Sequence, residues 1–325
     1  MKHVFSTALV AASLAVAAPA FADPVQINAV TFAPRQASIT QPFAQFVEEV
    51  NEMFAGEIEI TWRGGPEVMP PFGQPEGVRN GAMGMTYTSP SYYQGLVPTS
   101  GTMNLSFMNY EEIAATDYHE RMTELHAEQD LAFVGEIPAT QLNFQIYMSG
   151  EITSLADLEG QRIRVFPALL PLVEALGAEP IVLPMPEIYT AMERGAIDGF
   201  MQGPNGGQAE QFEGIVSTVV QPGVYRAGFP VLMNMDLWNE MSPDLQERFT
   251  TFLREDFAPR MDFIWTEDIT TERAAQEAAG FEFFVLEGED AAAYEALAMD
   301  AAWATVAETA GEEIAAELRG MLDRQ

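Results

Sequence analysis

Short stretches in which apolar and polar residues alternate are separated along the chain by stretches with helical spacing. Segments 25–32 (VQINAVTF) and 57–63 (EIEITWR) have the two-residue period of strands. Between them, segment 37–56 has the 3.6-residue period of a helix that ends at a glycine. Its apolar face consists of Phe43, Phe46, Val47, Val50 and Phe54. This alternation of strands and helices predicts an α/β architecture.

The same alternation continues to the end of the chain. Further strands are predicted at 131–138, 142–149, 161–166, 179–184, 196–200, 231–235 and 281–286. Helices are predicted at 111–130 and 185–195, as a long helix across 242–279, and in the last forty residues. With 325 residues, the chain can form two lobes, each with its own core. Because no low-complexity linker separates them, we expect the chain to cross between the lobes more than once.

The strand QRIRVF (161–166) carries the most informative polar residue. Side chains alternate along a strand, so Ile163 and Val165 face one way while Arg162, Arg164 and Phe166 face the other. Ligands of open α/β sheets bind beyond the carboxyl ends of the strands. A guanidinium there can hold a carboxylate through two hydrogen bonds. Arg164 is therefore a candidate ligand-binding residue; the alternative is a structural arginine paired with one of the many acidic residues.

The N-terminal residues have the pattern of a secretory signal. Lys2 and His3 form a charged start, and Val4 begins a short apolar run that is too short for a confident membrane span. The sequence Ala-Phe-Ala at 20–22 matches a cleavage site, so we expect a signal peptide at 1–22 that is removed near Ala22. The chain contains no cysteine and needs no disulfide, which suits a mature protein in the periplasm.

Charge and composition exclude several functions. The chain has 15 Lys and Arg against 48 Asp and Glu, a formal net charge of −33, and Lys2 is its only lysine. A lysine Schiff base and a lysine-containing phosphate loop are therefore excluded from the mature protein. Nucleic-acid binding is not expected either, because little positive charge remains to neutralise phosphates. The acidic excess is interpreted as a solvated surface.

Catalytic and metal-binding patterns are absent. There is no GxSxG motif and no cysteine nucleophile, and GPNGG (203–207) lacks the glycine spacing of a dinucleotide site. His119 and His126 are seven residues apart, roughly 10 Å along a helix, which is too far for one metal ion. We interpret both as solvated helix residues. No catalytic residue, metal site or cofactor is predicted.

Two motifs resemble a known family. They are DLEGQRIRV (157–165) and LGAEPIVLPMPEIYTAMERGAIDG (176–199), supported by FAQFVEEVNEMFAGEIEI, YYQGLVP and LWNEMSPDLQERF. This pattern resembles the periplasmic substrate-binding proteins of TRAP transporters, the DctP-type family, over essentially the whole mature chain. Arg162 replaces the usual lysine and Met192 the usual leucine.

The resemblance implies a two-lobed α/β periplasmic binding protein with hinge strands and a long lobe-spanning helix. Lobe I would comprise residues 23–141 and 228–268, and lobe II residues 142–227 and 269–325. It also implies that Arg164 grips the ligand carboxylate and that Gln202, where the family often has asparagine, assists. Ligand would bind by hinge closure and pass to a TRAP membrane permease, and the protein would act as a monomer, not as an enzyme.

Sialic-acid-type members have a second arginine on the preceding strand, where Asn143 and Phe144 stand here, which argues against a sialic-acid-like ligand. Other positions match pocket residues of the family, several of them aromatic. They are Phe32, Tyr87, Thr88, Ser89, Phe166, Met185 and Phe229. Together they predict a small carboxylate with an apolar or aromatic body.

Three alternatives remain open at this point. The same fold could bind a keto or hydroxy acid through a bound cation, with Gln202 taking part. The chain could be an exported enzyme that acts on acidic substrates, although no nucleophile or metal constellation is found. It could also serve a sensor kinase or another class of transporter.

Overall fold

The computed structural model describes residues 24–205 and 207–323, so the predicted signal peptide at 1–22 lies outside the described residues. Two β-sheets form the framework, and helices pack around them. This arrangement confirms the predicted α/β class. No helix within the described ranges is both long enough and apolar enough to cross a membrane.

The first sheet has five strands in the spatial order β2-β1-β3-β10-β4. Its strands are β1 (Val25–Thr31), β2 (Ile58–Gly64), β3 (Met85–Tyr87), β4 (Leu131–Ala139) and β10 (Ala227–Asn234). Strand β1 runs parallel to β2 and β3, whereas β10 runs antiparallel to both β3 and β4. Strand β10 therefore returns to the first sheet from the second half of the chain.

The second sheet has six strands in the order β11-β9-β5-β8-β6-β7. Its strands are β5 (Phe144–Met148), β6 (Arg162–Val165), β7 (Glu179–Val182), β8 (Gly199–Gln202), β9 (Thr218–Val224) and β11 (Glu282–Val285). Strand β6 is parallel to its neighbours β7 and β8. The carboxyl ends of these three strands therefore meet at one edge of the sheet.

Helices cover both sheets. They are α1 (Gln41–Met53), α2 (Gln74–Arg79), α3 (Tyr110–Ala114), α4 (Tyr118–Ala127), α5 (Leu170–Ala175), α6 (Ile188–Glu193), α7 (Gln208–Phe212), α8 (Met235–Glu240), α9 (Pro243–Thr251), α10 (Ala258–Asp262), α11 (Trp265–Ala278), α12 (Gly288–Ala310) and α13 (Glu312–Leu322). The long helix predicted across 242–279 is instead a succession of α9, a π-helical stretch (Phe252–Phe257), α10 and α11.

This succession of helices passes from one lobe to the other. Helices α9 and α10 pack on β4 of the first sheet, whereas α11 packs on α7 beside the second. The backbone itself crosses between the sheets from β4 to β5 and from β9 to β10. Several short connections of this kind are typical of hinged two-lobed binding proteins. The lobe boundaries given by the sequence stay a prediction.

Both histidines among the described residues are buried, so their interpretation as solvated residues was wrong. His119 and His126 lie on the face of α4 that packs against β4. His126 stacks on Phe133 at 5.0 Å, its Nδ1 bonds to the Met122 carbonyl, and its Nε2 bonds to the Tyr93 hydroxyl. Hydrogen bonds at both ring nitrogens allow the polar side chain to be buried.

His126 should make stability depend on pH. Burial lowers the pKa of His126 to about 4, although the hydrogen bond to Met122 acts in the opposite direction. Because the pKa of His126 in the folded protein lies below the ordinary value near 6.5, burial of the neutral imidazole stabilises the folded state fully above about pH 6.5. This contribution to stability is lost as the pH falls toward 4. The shift corresponds to about 3 kcal/mol.

The measurement is the free energy of unfolding by urea between pH 7 and pH 4.5, for the wild type and for His126→Gln. We expect the wild type to lose stability more steeply over this range, because only the wild type buries the His126 imidazole, whose pKa is lowered. Equal slopes for the two proteins would contradict the assignment.

Candidate ligand-binding site

A cavity lies between the two sheets, at the carboxyl ends of parallel strands from both. From the first sheet it is reached by residues that follow β1 and β3, and from the second by residues that follow β6, β7 and β8. It is lined by Phe32, Ile39, Ser89, Tyr92, Asn104, Leu142, Phe144, Arg164, Phe166, Met185, Met201, Gln202, Gly203, Asn205, Ala227 and Phe229. The edge where parallel strands end is the usual place for a ligand in α/β folds.

The cavity is small. The cavity volume is about 50 Å³. One water molecule needs roughly 10–15 Å³ of such volume, so the cavity accommodates a few waters or one small organic molecule.

Arg164 provides the positive charge of the cavity. Its side chain is only 2% exposed, and its guanidinium reaches the edge where the strands end. Nε donates to the Leu183 carbonyl at 2.8 Å and Nη1 donates to the Met201 carbonyl at 3.2 Å. These two bonds fix the plane of the guanidinium. A guanidinium has five N–H donors, so enough remain for a carboxylate that binds through two oxygens.

No carboxylate within the described ranges forms an ion pair with Arg164. Burial lowers the pKa of Arg164, and the nearby Tyr92 hydroxyl opposes this effect. A guanidinium nevertheless stays protonated at neutral pH. Arg162, two residues earlier, has the opposite environment, because it forms a partly exposed ion pair with Asp198 at 2.7 Å. An acidic partner, as expected for a structural arginine, is therefore found at Arg162 and is not found among the described residues at Arg164.

Aromatic rings form both walls of the cavity. On the side of the first sheet, Phe32 and Phe229 stack with their centroids 5.2 Å apart. On the side of the second sheet, Phe144 and Phe166 meet edge to face at 4.6 Å. All four rings are at least 91% buried. The walls therefore give the region beside the guanidinium a largely apolar surrounding.

Eight of the eleven sequence-predicted site residues line this cavity, and three do not. Tyr87 lies behind Phe32 and Phe229, and its hydroxyl donates to the Ile39 carbonyl. Thr88 is fully buried. Asn143 donates to the Tyr225 carbonyl where the chain passes between the sheets. Tyr87 thus supports the wall, and Asn143 ties two lobe-crossing segments together.

Sequence reasoning missed the polar lining residues Tyr92, Asn104 and Asn205. Tyr92 belongs to the motif YYQGLVP that supported the family resemblance, so a signal for it was available. Asn104 reaches the cavity from the end of a 3₁₀ helix (Ser100–Asn104), where its Nδ2 donates to the Arg226 carbonyl. Asn205 lies in the GPNGG segment, whose residues 203–205 belong to no helix or strand, as predicted, and Gly203 and Asn205 also line the site.

A buried carboxylate outside the cavity supports the loop after β8. Glu272 on α11 is 4% exposed and accepts hydrogen bonds from the backbone N–H groups of Gly207 and Ala209, both at 2.7 Å. Gln208 in turn donates to the Gly203 carbonyl and to Asn205. Helix α11 thereby fixes the loop that brings Gln202, Gly203 and Asn205 to the cavity.

Cation binding was one of the open alternatives. Across residues 24–205 and 207–323, no group of three His, Cys, Asp or Glu side chains is arranged to hold a metal ion. Gln202 donates its amide to Asn205 at 3.0 Å, so its side chain takes part in the loop's own hydrogen bonds.

Comparisons with known proteins agree with this geometry. A family model described as bacterial extracellular solute-binding protein, family 7, matches residues 29–309. The monocarboxylate 2-oxoacid-binding periplasmic protein of Nostoc sp. is 28% identical over 218 residues, which cover 63% of this chain and 58% of that protein.

Two solved structures with a fold similar to that of this chain are TRAP periplasmic solute-binding proteins. The one from Desulfovibrio salexigens, with bound orotic acid, has a TM-score of 0.81 at 19% identity and covers 92% of this chain and 97% of its own. The one from Ralstonia eutropha, with bound (S)-2-acetolactate, has a TM-score of 0.77 at 15% identity and covers 92% and 98%. The two-lobed fold and the resemblance inferred from the sequence are confirmed: the chain belongs to the bacterial extracellular solute-binding proteins of family 7.

Proposed function

We propose that this protein captures a small monocarboxylate with an apolar or aromatic body and delivers it to a TRAP permease. One observation carries the proposal. Arg164 is a buried cation without a carboxylate partner among the described residues, and it lies in a cavity between two lobes. A buried charge is costly unless it is paired. An anionic ligand supplies the missing partner.

The composition of the cavity favours one carboxylate and an apolar remainder. Arg164 is the only charged side chain among the described residues that line it. A dicarboxylate or a sialic acid would place further polar groups against Phe144, Phe166 or Phe229, where their hydrogen bonds would be lost. A flat or compact apolar body can instead pack between the aromatic pairs.

The ligands of three relatives fall in this class, whereas other solved relatives hold L-galactonate, D-glucuronate or succinate. Orotic acid and 2-acetolactate each carry one carboxylate, and the Nostoc relative is named for monocarboxylate 2-oxoacids. The proposed event is binding without turnover, in the periplasm after removal of residues 1–22, by a monomer. Closure of the lobes removes water from the cavity and so strengthens the pairing of Arg164 with the carboxylate.

The ligand class is tested by a thermal-shift screen of the mature protein. We expect benzoate, orotate and pyruvate to include the compounds that raise the melting temperature most, because each combines one carboxylate with a small body that carries no hydroxyl group. D-Glucuronate and N-acetylneuraminate should give no shift, since their hydroxyl groups would face the aromatic walls. Stabilisation by the two sugar acids alone would overturn the proposed class.

A further inference from the structure

Tyr92 lies in the lobe opposite Arg164 but reaches the same point of the cavity. It belongs to the single 3₁₀ turn Pro90–Tyr93 that follows β3. Its ring packs edge-on against Phe32 at 6.0 Å and Phe72 at 4.5 Å, and the residue is 8% exposed. These contacts hold the hydroxyl in a fixed direction, toward the second sheet.

The Tyr92 hydroxyl contacts two groups of the other lobe. It accepts a hydrogen bond from the backbone N–H of Met185 at 3.2 Å, just beyond β7. It also lies beside the Arg164 guanidinium, close enough to raise the pKa of that group. Both neighbours can only donate to it. Its own proton has no acceptor among the residues that the structure describes.

We propose that Tyr92 donates this proton to the ligand carboxylate and thereby locks the two lobes together. This inference rests on the proposed function, because it takes a carboxylate beside Arg164 as given. One carboxylate would then be held by Arg164 from the lobe of the second sheet and by Tyr92 from the lobe of the first. Ligand binding and lobe closure become the same event.

The arrangement also makes Tyr92 a determinant of specificity. With the Met185 N–H and Arg164 on its acceptor side, the hydroxyl presents only a proton to the cavity. A carboxylate oxygen accepts that proton, whereas the NH₂ group of a carboxamide would meet donors alone. Tyr92 therefore selects acids over their amides.

The first test is calorimetry with benzoate, orotate and pyruvate on the wild type, Tyr92→Phe and Arg164→Lys. Tyr92→Phe removes only the hydroxyl and should weaken binding about 10- to 100-fold, as expected for a hydrogen bond to a charged group. It should also reduce the preference for benzoate over benzamide. Tyr189→Phe, which removes a hydroxyl from the partly exposed Tyr189 on α6, is the matched control and should bind like the wild type.

The outcomes separate the two proposals. If Arg164→Ala, measured alongside, binds as tightly as the wild type, the proposed function itself fails. If Arg164→Ala is impaired while Tyr92→Phe keeps the affinity and the acid preference of the wild type, only the role of Tyr92 is overturned.

The second test needs no ligand and uses the absence of cysteine from the chain. Spin labels at Glu52→Cys on α1 and Glu193→Cys on α6 report the distance between the lobes by pulsed electron paramagnetic resonance. Without the bond from Met185, Tyr92→Phe should shift the unliganded protein toward longer distances. An unchanged distance distribution would contradict the lobe-locking role.

Discussion

Replacing Arg164 with alanine is expected to weaken ligand binding by roughly 30- to 4,000-fold. Truncating one member of a buried, hydrogen-bonded charge pair costs about 2–5 kcal/mol, and each 1.4 kcal/mol is a factor of ten in affinity. The loss should be near the upper end, because the described residues that line the cavity offer the carboxylate no second cation. Calorimetry with benzoate, orotate and pyruvate measures it.

The neighbouring arginine provides a matched control. Arg162 belongs to the same strand, but its guanidinium pairs with Asp198 at a partly exposed position. Arg162→Ala should therefore leave the affinity unchanged. Arg164→Lys keeps the charge and loses the planar fork, so it should fall between Arg164→Ala and the wild type. Equal affinities of Arg164→Ala and the wild type would remove the basis of the proposed function.

Attraction at long range cannot replace this pair. The chain carries a net charge of −33, which repels an approaching anion until salt screens it. Selectivity for an acid must then arise at short range, from Arg164 and the donors beside it. For its affinity toward an acid, a protein with an acidic surface therefore depends more on a buried guanidinium than a protein with a basic cleft does.

The framework of the fold was predictable because its signals are local. Strands β1, β2, β5 and β11 follow the predicted segments, since alternation of apolar residues along a few positions is enough to define them. Strand β9 (Thr218–Val224) was not predicted. It carries Pro222, which argues against a strand within a sheet, and its pairing with β5 and β11 compensates for the unfavourable local sequence.

The site was predictable where a residue combines strand geometry with unusual chemistry. Arg164 stood out because it is a cation next to an apolar run in an acidic chain. The roles of Tyr92 and Asn205 depend on loops from distant segments that meet only in three dimensions. The burial of His119 and His126 likewise depends on the packing of α4 on β4. Both lie at helical spacing with Met122, but their polar rings gave no apolar signal.

A second buried arginine, Arg226, is paired with a carboxylate of the protein itself. Removing that carboxylate should have the largest effect on stability that we expect. Arg226 and Glu136 are both fully buried, and Arg226 Nη2 donates to the Glu136 carboxylate. His119 Nε2 lies 3.2 Å from the other carboxylate oxygen. A side chain at Gly228 would collide with this carboxylate, so glycine is required there for the pair to form.

Burial by itself would raise the pKa of Glu136, but the charge of Arg226 and the hydrogen bond with His119 outweigh it and lower the pKa to about 2. Glu136 thus contributes stability that is present above its ordinary pKa near 4.5 and is lost as the pH falls toward 2. Arg226 Nε and Nη1 have no hydrogen-bond partner in the described part of the chain, so the arginine relies on Glu136 for its charge balance.

Glu136→Ala is therefore expected to lower the free energy of unfolding by about 3–5 kcal/mol, because it leaves Arg226 as an uncompensated buried charge. Urea denaturation at pH 7 measures the loss. Glu136→Gln preserves the shape of the side chain but also removes the charge, so it should lose nearly as much, and its stability should decline less steeply than that of the wild type below pH 4.5. Glu49→Gln, which breaks the exposed pair with Arg260, is the control and should cost less than about 1 kcal/mol. Wild-type stability in Glu136→Gln would show that the charge of Glu136 is not what balances Arg226.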